Sequence, residues 1–97
     1  ASDVYKRQVP RGYRSVADQL IRSATAVPLL VAEGANRRSS AQKRQRFGEA
    51  HGECGEAAAA VEVLTAMALA DVDDTSEFLD RADRVAAMLA GLIRLHG

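Results

Sequence analysis

The sequence of 97 residues has one cysteine, two prolines, no tryptophan and four aromatic residues, Tyr5, Tyr13, Phe47 and Phe78. A lone cysteine, Cys54, cannot close an internal disulfide, which agrees with a reducing compartment. Much of the 47% hydrophobic content is alanine, and so few aromatics imply a thin, helix-favouring core. The chain lacks any apolar run of about 18 residues and lacks the charged-then-apolar layout of a signal peptide, so a cytoplasmic protein with no membrane partner is expected. It also lacks a glycine-rich phosphate loop and a Ser/His/Asp set. His51 and Cys54, spaced i and i+3, supply two ligands where a structural zinc site takes about four. The expectation is therefore a non-enzymatic protein with no catalytic residue, no metal, no cofactor and no small-molecule substrate.

What is present is a division of charge. Residues 1–50 hold ten Lys/Arg against four Asp/Glu, a balance of +6, and residues 51–97 hold three against nine, a balance of −6. The net charge of zero hides this asymmetry, which suggests an anionic partner for one end or neutralisation of one half by the other.

The first eight residues stand apart, because Ser2 to Gln8 have no apolar period. They can be encoded as TCA GAT GTG TAT AAG AGA CAG, which resembles the mosaic-end adapter of sequencing libraries. Residues 1–8 are accordingly expected to be a non-native tail, and residues 9–97 a single helical-bundle domain.

From Val9 onward three helices are expected, at about residues 15–33, 40–69 and 75–95. In the first, Ala17, Leu20, Ala24, Val27 and Val31 recur at steps of three and four, with Gly34 as a C-terminal stop and Pro28 as a kink or break. In the second, Phe47, Ala50, Cys54, Ala57, Val61, Leu64 and Ala68 form a heptad seam, and Gly48, Gly52 and Gly55 suggest close helix contact. The third opens with Asp74 and Glu77 at capping-box spacing and has Phe78, Leu79, Ala82, Val85, Ala86, Leu89, Leu92 and Ile93 as its apolar face. Cys54 falls on the seam and reads as a small hydrophobe. Short links make neighbours antiparallel, so the fold class is all-α, an up-down helical bundle.

Two sets of charged residues are candidates for function. Arg37, Arg38, Lys43, Arg44 and Arg46 crowd the start of the second helix, where the helix dipole disfavours cations by roughly 0.3–1 kcal/mol each. Such an arrangement would receive negative charge from RNA phosphates or from the acids of a neighbouring subunit (Asp71, Asp73, Asp74, Glu77, Asp80, Asp83), or else is an ordinary solvated charge run. No aromatic lies within the run, so contact with a nucleic-acid backbone would dominate. Arg22 and Glu33, about three helical turns apart, cannot touch each other and are expected to meet Glu56 and Arg46 on the second helix in a structural ion network. Glu33 and Glu56 as paired catalytic carboxylates have no metal or nucleophile beside them.

The run QLIRSATAVPLLVAEGANRRS, followed by RFGEAHGECGE, resembles the four-helix bundle proteins of the 23S rRNA intervening-sequence family. Gln19, Leu20, Arg22, Ala24, Val27, Pro28, Val31, Ala32, Glu33, Gly34, Ala50, Gly52 and Glu56 fall on motif positions, while Ala26, Leu30 and Glu53 depart from the polar residues usual there. The resemblance implies a four-helix bundle whose first helix precedes Val9-Pro10 and is missing here. It also implies a homo-oligomer, a pentamer in the related accessory variability determinant of diversity-generating retroelements, and an RNA-related partner such as a reverse transcriptase complex. The alternative kept beside it is a purely structural homo-oligomer whose basic and acidic ends pair between subunits.

Overall fold

The computed structural model describes residues 13–97, and the expectations for residues 1–8 and for the Val9-Pro10 junction lie outside the described residues. Among the described residues there are three α-helices and no strand: α1 (Arg14–Asn36), α2 (Ser40–Ala66) and α3 (Val72–Leu95). Three-residue and five-residue links turn the chain back on itself, so α1 packs on α2 and α2 on α3 in an up-down bundle with α2 in the middle.

The core follows the expected stripe on α2, while of the α1 and α3 stripes only Ala17 and Leu89 are fully buried and the rest are half-buried. Phe47, Ala50, Cys54, Ala57, Val61 and Leu64 of α2 are buried, and Phe47 and Ala50 join Leu89 of α3 in a cluster flanked by Leu30 and Val31 of α1 and by Val85, Leu92 and Ile93 of α3. Ala68, placed at the end of the seam by its spacing, lies beyond the helix. It adopts φ 58° in the α2–α3 turn, after α2 has ended at Ala66 with Met67 as its cap. The turn is held by the Leu69 amide donating to the Leu64 carbonyl (2.8 Å) and by the Thr65 and Thr75 hydroxyls, 2.6 Å apart.

Other local expectations also need correction. Pro28 does not divide the first helix, which continues through it as one element. Its cost of roughly 3 kcal/mol is offset because apolar residues on both sides, Ala17 before it and Leu30 and Val31 after it, are held against α2. Gly34 does not stop α1, which runs on to Asn36. Gly34 is buried under the Phe47 ring, so close that a Cβ there would stand 2.6 Å from Phe47 Cε1. At α3 the cap is Asp71 rather than Asp74: its Oδ1 accepts from the amides of Asp73 (2.9 Å) and Asp74 (3.0 Å), so the helix begins three residues earlier than expected. Gly48, Gly52 and Gly55 meet no neighbouring helix, since a Cβ on any of them would find nothing within 4 Å.

Candidate functional site

The up-down order sets the start of α2 beside the C-terminal ends of both α1 and α3. Ser39 caps α2, its Oγ accepting from the Gln42 amide at 3.1 Å. One turn further in, Lys43 reaches back to α1, where its Nζ donates to the carbonyls of Ala35 (3.0 Å) and Gly34 (3.4 Å). Arg44 reaches the other way, and its Nη1 donates to the His96 carbonyl at the end of α3 (2.8 Å). The Phe47 ring lies 6.0 Å from the His96 ring, closing the same end of the bundle. These cations sit near the positive end of their own helix dipole, but each meets the negative end of a neighbour's, which leaves carbonyls unpaired.

Arg46 is occupied too. Its Nη1 pairs with Glu49 (3.1 Å) on its own helix, and its Nε stands 3.4 Å from Glu33 on α1. Of the five candidate cations, Arg37 and Arg38 remain. Both are exposed in the α1–α2 link, and no side-chain hydrogen bond or ion pair engages either within the described residues. The Arg37 amide alone is used, donating to the Gly34 carbonyl at 3.2 Å.

A second cluster lies midway along the α1–α2 seam. Arg22 donates through Nη1 to Glu53 (2.9 Å) and through Nη2 to Glu56 (3.1 Å), and Gln19 Nε2 donates to Glu56 at 2.8 Å. Ser23, fully buried, accepts from Gln19 at 3.1 Å and donates to Glu56 at 3.4 Å. Arg22 thus meets Glu56, and Glu33 meets Arg46, in two separate clusters. The sequence does not single out Glu53, Gln19, Ser23 and Glu49 as members, although Glu49, Glu53 and Glu56 at spacings of four and three lie on one side of α2. The Arg22 side chain is 56% exposed, so these pairs are surface interactions worth about 0–1 kcal/mol each. Hydrogen bonds from the Arg22 guanidinium, the largest cause, hold the Glu53 carboxyl below its ordinary pKa.

Glu33 and Glu56 do not come together as a carboxylate pair, since each is taken by a different guanidinium. His51 is exposed while Cys54 is buried, its thiol donating to the Ala82 carbonyl at 3.3 Å, and burial pushes that thiol's pKa up. Among the described residues no group of three or more His, Cys, Asp or Glu could hold a metal ion, and no helix is long and apolar enough to cross a membrane.

Comparison with known families matches residues 1–91 to the profile described as 23S rRNA-intervening sequence protein. Comparison with individual curated proteins finds no match. The helical order described above and a match over nearly the whole length agree with the motif residues of α1 and α2, and the chain belongs to the 23S rRNA-intervening sequence protein family.

Proposed function

We propose that this protein works by binding rather than by catalysis, as a helical scaffold that associates with RNA through phosphates met at the α1–α2 end of the bundle. The observation that carries the reading is the division of the basic run. Lys43, Arg44 and Arg46 are engaged by helix ends and carboxylates, whereas Arg37 and Arg38 project from the link with neither an ion pair nor a side-chain hydrogen bond among the described residues. Paired arginines free to fork onto phosphate oxygens suit backbone recognition with weak sequence preference. The family's description, which ties it to 23S rRNA intervening sequences, supports RNA over other polyanions.

A second reading is favoured by the opposite end, where Asp73 and Asp74 are exposed in the first turn of α3. There Arg37 and Arg38 of one copy would meet the acids of another, and the scaffold would be a structural homo-oligomer. Titrating a structured RNA hairpin with the parent and with Arg37→Gln/Arg38→Gln, and sizing both proteins, separates the two. Lost RNA binding with unchanged assembly is expected. Dissociation of the variant would favour the second reading, and unchanged RNA affinity would refute the first.

A further inference from the structure

One face of α1 ends in an open groove beside the basic link. Leu29, Ala32, Glu33 and Asn36, at helical spacings of three, one and three, line it, and Arg37 of the link completes it around a volume of about 440 Å³. Its floor is apolar, since Leu29 is 65% exposed and Ala32 beside it is exposed too. Its rim is polar and only partly engaged. Asn36 uses one amide hydrogen on the Ala32 carbonyl (2.8 Å), which leaves its Oδ1 and second amide hydrogen without a partner among the described residues. Glu33 meets Arg46 through Oε2 alone, at 3.4 Å, so its Oε1 stays available as an acceptor.

Charge sorts what can enter this groove. Phosphates suit Arg37 and Arg38, whose side chains have no partner among the described residues, while the Glu33 carboxylate repels any phosphate that would sit in the groove itself. A neutral group attached to those phosphates meets no such barrier. We infer that the groove receives one unpaired base of the RNA whose backbone lies on Arg37 and Arg38, and that it favours bases with an exocyclic amine (adenine, cytosine or guanine) over uracil. A continuous duplex keeps its base faces stacked, whereas a bulge can turn one outward. The flat face of such a base covers Leu29 and Ala32. Its amine donates to Glu33, which as an ionised carboxylate only accepts, and the Asn36 amide offers a donor and an acceptor to the rest of the base edge. Uracil has no amine to give, and its carbonyls would face the carboxylate oxygens with no proton between them. The inference rests on the RNA reading and adds which RNA element is held. The basic run has no aromatic for stacking, and the groove supplies a base contact beside it.

The test titrates the full chain with three short RNA duplexes of one sequence, blunt, with a single bulged adenosine and with a single bulged uridine. The adenosine bulge is expected to bind roughly tenfold more tightly than the blunt duplex, and the uridine bulge much less so. Leu29→Gln replaces the apolar floor at an exposed position. With parental far-UV helicity, it should bring the adenosine bulge down to the blunt duplex's affinity and leave that affinity unchanged. Ala32→Gln, which puts a polar side chain in the groove, takes its place if Leu29→Gln loses helicity. A parent that binds none of the three overturns this inference and the RNA reading together. A parent that binds all three equally, or a floor variant that keeps the bulge preference, overturns the groove and leaves the phosphate contact standing. Equal affinity for the adenosine and uridine bulges overturns selection by Glu33.

Discussion

Arg44 spans the bundle to the His96 carbonyl, while Arg38, six residues earlier, has no side-chain partner among the described residues. Residue type does not separate the two roles, and their substitution should. Lys43→Gln/Arg44→Gln strips two helix ends of their cationic donors and is expected to cost about 1 kcal/mol, the sites being exposed and screened. In a domain of this size that lowers Tm by roughly 4–8 °C, whereas Arg37→Gln/Arg38→Gln should leave it within error in the same calorimetric scan. Glu53 gives a pH signature. Its folded-state pKa lies below the ordinary value of about 4.3, so its contribution is present above that pH and is lost as pH falls through the folded-state value. Glu53→Gln should therefore flatten the acid limb of a stability–pH curve. Cys54 behaves in the opposite sense. With its pKa raised by burial, its contribution is full below the ordinary thiol value, roughly 8.5, and falls as pH rises past it, and the native thiol should react with an alkylating reagent far more slowly than the denatured one.

At the scale of the helix, Gly34 and Gly55 have opposite physics. Gly34 lies under Phe47, and Gly34→Ala forces its Cβ to within 2.6 Å of the ring, an overpacking expected to cost about 1–3 kcal/mol in a denaturant titration. Gly55 faces open space, and Gly55→Ala should gain roughly 0.5–1 kcal/mol in the same measurement. The sequence reads Gly34 as a helix stop and Gly55 as a close helix contact, and the packing reverses both readings. The seam of α2 from Phe47 to Leu64 is legible because its residues recur at the spacing a packed helix needs, and the spacing is itself the physical cause of burial. The caps are less so. Asp71 and Asp74 are both acids able to cap α3, and the choice depends on how the α2–α3 turn brings Leu69 back to Leu64 and leaves Ala68 at positive φ. Pro28 shows in the sequence only its local cost, and that cost is outweighed by packing on either side of it.

For the whole molecule, part of the charge division along the chain becomes a division between the ends of the bundle. The basic α1–α2 link and the start of α2 lie opposite the acidic start of α3. The presence of a cationic cluster is legible, and so is the need for negative charge to meet it. That the C-terminal carbonyls of α1 and α3 take part of that charge is not, because it requires knowing that Arg44 and His96, far apart in sequence, share one end. Topology supplies that fact, and it leaves Arg37 and Arg38 without a side-chain partner among the described residues, which is where the proposed RNA contact is placed. The most direct test is the slope of log affinity against log salt for a structured RNA hairpin, measured for the parent and for Arg37→Gln/Arg38→Gln with helicity monitored. A parent that binds with a steep slope, made shallower in the variant by about 0.7–0.9 for each phosphate the substitutions leave unneutralised, is the predicted result. Equal slopes, or a parent with no measurable RNA affinity at low salt, would contradict the account.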